Sequence, residues 1–590
     1  MILLDKWAWE EIIYYIIKTY TRGVVMKKLY SFIFAMLFLF SATFVFAAKT
    51  KEVPKVEKTM PFSKGINLGE WLCDYGNGNV NSSYFERQDF DDMKALGIEI
   101  VRLNIMFEEF SSGKPDYIVE DWLWEKIDNT VEWCTELKMY MIITFMNNTY
   151  GGVKTKPDVE KMLLKIWPQI TARYKDSSEY ILYEIYNEPH FMSGNLVADV
   201  SKWNKIQGNV LKKIRETDKK RTVIVGAENW NGIEEVLKLP DYKDDNIILN
   251  FHDYSPFLFT HQWIQHTPFP YVKEKMPPLP ENPIDSEKWY YENYPEMSKE
   301  ANLVKPLDDA VKFANKRGLT LMCNEYGVIM NQADKTERTD WYNLKTKWMD
   351  ERNIIRLNHE YKGYWAIFKN TKLNPVEARF PEDLNIEVVK ALGFNVPQEK
   401  TRKHYSWFEN AKKTNDYTIY RNGFAKGVYA SDGWADCRIN KKDAADEDTY
   451  IYLPKADAWA TIKFLFGENY DFSDLVNSGK SLEFEVRTTQ KDLKLYAYFA
   501  AQEIAGTAKE GLPWDCVNVV SGKNIPVDGE WHKVSIPLKN FRDNGAWSDI
   551  EQKSYPPEGK FSWKKIYCLK FAMGENGLKD DLSIRNIAIR

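Results

Sequence analysis

The sequence predicts an α/β protein, a (β/α)8 TIM barrel followed by an all-β sandwich. Three observations predict it. Short β-like runs alternate with longer helical stretches from residue 62 to residue 396. Several of those runs end in a polar or charged residue, as the functional face of a barrel requires. After residue 416 the texture changes to alternating apolar and polar residues between Gly, Asp and Asn turns. At 590 residues the chain is too long for one core, so at least two domains are expected.

The chain begins with a stretch that does not read as part of either domain. Met26-Lys27-Lys28 opens a basic segment, Leu29 to Phe46 is almost wholly apolar, and small residues close it at Ala47. Residues 26–47 therefore read as a secretory signal peptide, with residues 1–25 an upstream extension and Met26 the expected start of translation. An export signal implies a secreted or extracellular protein. Membrane association is expected only if that segment stays uncleaved, because its length sits at the lower limit for a bilayer span. Residues 48–61, charged and containing Pro54, read as a spacer.

Eight runs are assigned to the barrel strands: Lys64 to Leu68, Ile98 to Asn104, Tyr140 to Phe145, Tyr180 to Asn187, Thr222 to Gly226, Ile247 to Tyr254, Leu319 to Glu325 and Gly363 to Phe368. No Gly-rich fingerprint follows an early strand, so a nucleotide-binding open sheet has little support. Pro256 to Pro306 is a long insertion after the sixth run, dense in Pro, Trp and Tyr, and its aromatics suit a substrate wall. Residues 397–416 are polar and charged and read as a linker. Residues 417–590 supply the sandwich, with strands at Thr449 to Leu453, Ala460 to Phe466, Ser481 to Arg487, Leu493 to Phe499, Trp531 to Pro537, Lys565 to Ala572 and Leu582 to Ile589.

Composition narrows the function classes. With 80 basic and 85 acidic residues, the net charge of −5 is too balanced for a nucleic-acid surface. The six cysteines show no CxxC and no regular spacing, so no zinc or redox motif is read, and buried free thiols are expected. No acidic loop has calcium-ligand spacing. Neither a cofactor nor an obligate protein partner is expected. The content of 21 Trp and 34 Tyr offers flat faces of the kind that stack on sugar rings.

Two glutamates stand where chemistry is expected. Tyr180 to His190 reads as a strand ending in Asn187-Glu188-Pro189, where Pro189 stops the ladder and leaves Glu188 at the rim. Leu321-Met-Cys-Asn324-Glu325-Tyr326-Gly327 is a second apolar strand ending in a carboxylate. Each motif alone is common by chance. Together they end the fourth and seventh runs, which a closed barrel brings to one mouth, and a pair of carboxyl groups about 5 Å apart is what glycoside cleavage with retention needs. Strand parity puts Glu184 on the face of Glu188 but deeper, as a structural partner inside the barrel.

The run of strand-end motifs resembles glycoside hydrolase family 5, the cellulase family. Gly65-Ile-Asn-Leu-Gly-Glu-Trp71 is similar to the family's first strand, and Val101-Arg102-Leu-Asn-Ile to its second, whose arginine supports the nucleophile. The resemblance implies Glu188 as acid/base, Glu325 as nucleophile and Asn187 as a contact of the sugar 2-hydroxyl. It implies His252 and Tyr254, from Phe251-His252-Asp253-Tyr254, as contacts of the reacting sugar, and Trp365, from Gly363-Tyr-Trp365, as a sugar platform. One departure is Phe145-Met146-Asn147-Asn148 where the family usually has a histidine pair. Asn147 then serves as a substrate-binding amide, with altered preference expected rather than lost activity. On chemical grounds, the surroundings of Glu188 should raise its pKa, while Arg102 should hold Glu325 ionised. His190, His261 and His266 are read as surface or loop residues. The C-terminal part, from Tyr470-Asp-Phe-Ser-Asp-Leu475 to Leu582-Ser-Ile-Arg-Asn-Ile-Ala-Ile589, resembles jelly-roll carbohydrate-binding modules, with Trp434, Trp459, Trp514 and Trp547 as candidate sugar contacts.

The expected function is a secreted retaining endo-β-1,4-glucanase. Two alternatives stay open on the residues: a retaining hydrolase of mannan, xyloglucan, mixed-linkage glucan or xylan, and a non-catalytic glycan-binding protein on a degenerate barrel.

Overall fold

The computed structural model describes residues 53–73, 85–146, 154–263, 265–279, 283–369, 378–397, 405–430, 437–443, 446–501, 512–548, 551 and 553–590. The expected signal peptide, Asn147 and Trp434 lie outside them. No helix among the described residues is long and apolar enough to cross a membrane.

Eight parallel strands close into a barrel: β1 Lys64–Leu72, β2 Ile100–Ile105, β3 Tyr140–Phe145, β4 Ile181–Glu184, β5 Val223–Gly226, β6 Ile247–His252, β7 Thr320–Tyr326 and β8 Ile355–Asn358. Closure rests on β1 pairing with both β2 and β8. Helices such as Asp121–Glu136, Val159–Tyr174, Leu196–Thr217 and Lys335–Asp350 lie between the strands in sequence and bury apolar residues in the main core, including Trp167, Trp203 and Trp341.

The interior is filled in tiers of different chemistry. Phe62, Ile100, Ile142, Leu182, Ile224, Ile248, Met322, Ile355 and Leu357 form a separate apolar cluster. Strand residues two apart share a face, and two positions further along β2, β3, β4, β6 and β7 stand Arg102, Thr144, Glu184, Asn250 and Asn324. All five are buried. The lower tier is thus a hydrophobic plug, and the one above it carries the polar groups that lead to the mouth.

The eighth strand is not where the sequence places it. β8 is Ile355–Asn358, and Gly363 to Phe368 lies in the segment beyond it. The strand is only four residues long and contains Arg356, whose guanidinium is buried against Asp350, Tyr326 and the Leu392 carbonyl. The longer apolar run downstream gave the stronger β signal. Two other boundaries shift. Val56 is buried and its N–H donates to the Arg352 carbonyl at 2.8 Å, so part of the expected spacer is bound to the barrel. Trp407 and Phe408 open a helix, Trp407–Thr414, and pack into the sandwich core, so the expected linker contributes to the second domain. The insertion after β6 carries a helix, Asp285–Met297, and Pro306 falls inside the next helix, Glu300–Lys316.

The C-terminal part forms two antiparallel sheets over a shared apolar core. All seven expected strands are present, with ends moved by a few residues. Further strands include Trp514–Ser521 and Arg542–Ser548. All six cysteines are buried free thiols.

Candidate active site

Arg102 organises the site. It is fully buried on β2, and a buried guanidinium is tolerated only when its N–H groups are met by acceptors. Nε and Nη2 grip Glu184 on β4 at 2.6 and 2.9 Å. Nη2 also donates to Asn187 Oδ1 at 2.7 Å, and Nη1 donates to Asn67 Oδ1 at 2.9 Å and to Glu325 Oε1. Thr144 Oγ1 adds a hydrogen bond to Glu184 at 2.9 Å. Glu184 is therefore a structural counter-ion, as expected. Asn67 in turn donates to the backbone carbonyls of Asn324 and Asn358, tying β1 to β7 and β8.

Glu325 stands near the end of β7 and is held from both sides. Besides Arg102 on Oε1, it accepts from Tyr254 Oη on Oε2 at 2.9 Å. Burial opposes its charge, but His252 and Arg102 outweigh that and hold its carboxyl at about 2, below the ordinary 4.5. Burial and the Glu325 carboxylate together push the Tyr254 phenol well above its usual range, so it stays a donor.

Glu188 sits four residues past the end of β4, with φ 42, a left-handed backbone uncommon outside glycine. Its Oε1 lies 2.7 Å from His252 Nδ1, which is itself 3.5 Å from Glu325 Oε2. Burial disfavours charge on His252, yet the neighbouring carboxylates of Glu325 and Glu188 prevail and raise its pKa. One nitrogen or oxygen from each of Glu188, His252 and Glu325 lies within 4.8 Å of the other two. Such a set has the donor types that a metal ion takes, and the raised pKa of His252 puts proton binding in competition with metal there.

Arg102, Asn187, Glu188, His252, Tyr254 and Glu325 thus form one connected network. Trp365 joins it from the segment after β8, its ring 5.3 Å from Tyr254 in an edge contact. Two of the histidines read as surface or loop residues do lie on loops, and those loops belong to the site. His190 is buried, and its Nδ1 lies 2.6 Å from the Glu188 carbonyl, so it donates there. His261 packs edge-on against Tyr254 and Trp365 at 5.1 and 4.9 Å, and burial with the nearby His359 lowers it to about 3. His266 remains a partly exposed loop residue. Sequence reasoning also missed Asn67, although it lies inside the Gly65 to Trp71 motif, and His359, which follows the misplaced eighth strand. Burial outweighs the pull of Glu325 and lowers His359 to about 4.

This geometry can be set beside known proteins. A model of the cellulase family, glycosyl hydrolase family 5, matches residues 57–364, more than half of the chain. The chain belongs to glycosyl hydrolase family 5. The family 5 domain is 28% identical over 337 residues to Endoglucanase C of Acetivibrio thermocellus, covering 53% of this chain and 95% of that one. It is 26% identical over 348 residues to Endoglucanase 3 of Fibrobacter succinogenes, covering 54% of this chain. The match spans about half the length of that relative, 52%. Among solved structures it is similar to an endoglucanase of Thermotoga maritima, at 24% identity and a TM-score of 0.45, covering 56% of this chain and 96% of that one.

Behind the family 5 domain, residues 404–590 match carbohydrate-binding domain 30. Of the tryptophans singled out there, Trp459 and Trp547 are exposed at 52% and 44%, whereas Trp514 is buried against Leu512 and Ala546. Trp459 lies 5.3 Å from Tyr496, which stacks with Tyr498.

Proposed function

We propose that the protein is a secreted endo-β-1,4-glucanase that cleaves with net retention, through Glu325 as nucleophile and Glu188 as acid/base. The observation that carries this is the approach of the two carboxylates, with oxygens within 4.8 Å across His252. That spacing suits direct attack on a sugar carbon and leaves little room for a water on the opposite face, as inversion would require. The endoglucanase names of the relatives support the substrate class.

The roles follow from the surroundings. Arg102 and Tyr254 keep Glu325 anionic and aim it, so it attacks the anomeric carbon. Glu188, in its protonated form, gives its proton to the glycosidic oxygen as the bond to that oxygen breaks. A water then attacks the glycosyl-enzyme, Glu188 takes the water's proton, and Glu325 is released as a carboxylate. Arg102 donates to Asn187 Oδ1 and so fixes the side chain whose amide nitrogen, a donor, is assigned to the sugar 2-hydroxyl. His252 bridges both carboxylates and steadies the negative charge they share during turnover.

Proton NMR of the first product from a soluble β-1,4-glucan tests the mechanism. The β-anomer should appear first and mutarotate later, and an initial α-anomer would refute double displacement.

The C-terminal domain holds insoluble chain for the barrel, and Trp459 beside Tyr496 supplies a stacking face. Trp459→Ala should weaken adsorption to insoluble cellulose about tenfold, the scale of one aromatic stack plus its buried area. Hydrolysis of soluble oligosaccharides should stay within about twofold of the parent, since the barrel does that chemistry without the platform. Unchanged adsorption isotherms would remove Trp459 from this role.

A further inference from the structure

The segment beyond β8 folds around one carboxyl group. Glu360 lies two residues past Asn358, the last residue of the strand, and only 1% of it is exposed. Its side chain occupies a slot between two glycines. A Cβ at Gly69 would collide with Oε2, and one at Gly363 would collide with Oε1. Gly363 also has φ 109, a backbone that side chains rarely adopt, so the turn and the carboxyl beneath it both require glycine there.

Across that slot Glu360 meets Trp365 twice. The Glu360 N–H donates to the Trp365 carbonyl at 3.4 Å, and the Trp365 N–H donates to Glu360 Oε1 at 3.5 Å. Arg338 adds a hydrogen bond to the same carbonyl at 3.1 Å, so the backbone of Trp365 is gripped at both its polar groups. The indole beyond this grip packs edge-on against Tyr254 and His261. The start of the segment is tied to the barrel mouth, where the Tyr361 N–H donates to the Asn67 carbonyl at 3.0 Å.

The charge around the carboxyl is of its own sign. Among the described residues, Oε2 has no hydrogen-bond partner. His359 Nε2 is 4.0 Å from Oε2, but burial lowers that imidazole to about 4 and leaves it neutral. Lys362 is turned to Asp89, at 2.7 Å. Glu70 on β1 and Glu325 on β7 face Glu360, and so does Cys73, whose thiol is itself pushed up by burial and by Glu360. Burial first, and Glu70 next, push the Glu360 carboxyl well above its usual range, so it stands neutral. A buried polar group carries a desolvation cost that an apolar residue of similar size avoids. Space filling therefore does not account for it, whereas an acceptor for the Trp365 N–H does.

We propose that Glu360 is a positioning residue for Trp365, holding the indole where the attacked sugar packs on it. This rests on the reading of Glu325 as nucleophile and of Trp365, coupled to it through Tyr254, as a face for that sugar. Glu360 acts through the tryptophan alone.

Steady-state kinetics on cellotetraose test this. Glu360→Met fills the slot without an acceptor, and KM should rise about fivefold, the scale of one lost hydrogen bond, with kcat within about twofold of the parent. Glu360→Gln keeps the acceptor and carries no charge, so it should restore most of the parent's KM. Ionisation of Glu360 places charge beside Glu70 and loosens the grip, so the parent's KM should climb on the alkaline side while that of Glu360→Gln stays level. Glu188 and His252 titrate in both proteins, and the difference between the two curves belongs to Glu360. A Met variant with a lowered melting point but the parent's KM would mark the residue as structural, and a Gln variant no better than Met would dismiss the acceptor; each outcome overturns the proposal. If the Met variant does not fold, the paired pH curves decide, and superimposable curves overturn it. Trp365→Ala isolates the premise, since an unchanged KM there means that the indole carries no sugar and ends the proposal. If the parent turns over no glucan, the hydrolase reading fails first and this one with it.

Discussion

Replacing Glu325 by alanine is expected to lower glucan turnover about ten-thousandfold or more, because the covalent step then has no nucleophile. The fold should survive. Alanine removes one of two buried carboxylates that share a single guanidinium, and Arg102 keeps its bidentate pair with Glu184 together with Asn67 and Asn187. The vacated space lies beside the attacked carbon, so azide added to the variant should restore turnover of an activated aryl glycoside and give the α-glycosyl azide. Product isolation distinguishes this from contaminating activity. A variant that retains substantial turnover without azide would dismiss Glu325 as the nucleophile.

Arg102→Met should be costly in both stability and rate. Methionine fills much of the volume but leaves Glu184 and Glu325 buried without their cation, and breaking a buried ion pair in this way costs about 3–5 kcal/mol. A calorimetric melting point should drop accordingly. The pH dependence carries the sign. With its pKa held at about 2, Glu325 contributes stability that is present above its ordinary 4.5 and is lost as pH falls towards 2. Without Arg102 that carboxyl rises, so the acid limb of kcat/KM should move to higher pH in the variant. Arg102→Lys preserves charge but not the planar fork, and it should recover part of the stability while leaving the rate low. A melting point and pH profile unchanged in Arg102→Met would contradict the central role given to this side chain.

The parts of the molecule legible in the sequence are those where local pattern and tertiary demand agree. β3 and β7 carry continuous apolar stretches, Tyr140 to Ile143 and Leu321 to Cys323, and the carboxylate of Glu325 and the Asn187-Glu188-Pro189 sequence punctuate strand ends that a barrel must gather. Glu184 was readable from parity alone. The eighth strand was not, because four residues that include a buried arginine carry a weaker β signal than the Gly363 to Phe368 run beyond them. Trp407 and Phe408 hid within a charged stretch whose composition reads as linker, although an eight-residue helix buries them. Trp514–Ser521 escaped because Asp515 and Asn518 interrupt its alternation. The stack of Trp230 on His190 had no sequence signal at all, since it depends on a left-handed turn that propensities give no reason to expect.

The reach of Arg102 also bears on when the molecule acquires its chemistry. Its partners come from the first, fourth and seventh strands, and Glu325 follows it by 223 residues. No neighbouring pair of strands holds that constellation, and contacts so far apart in the chain are slow to form. The site is therefore complete only when the first, fourth and seventh strands have all come together around one guanidinium.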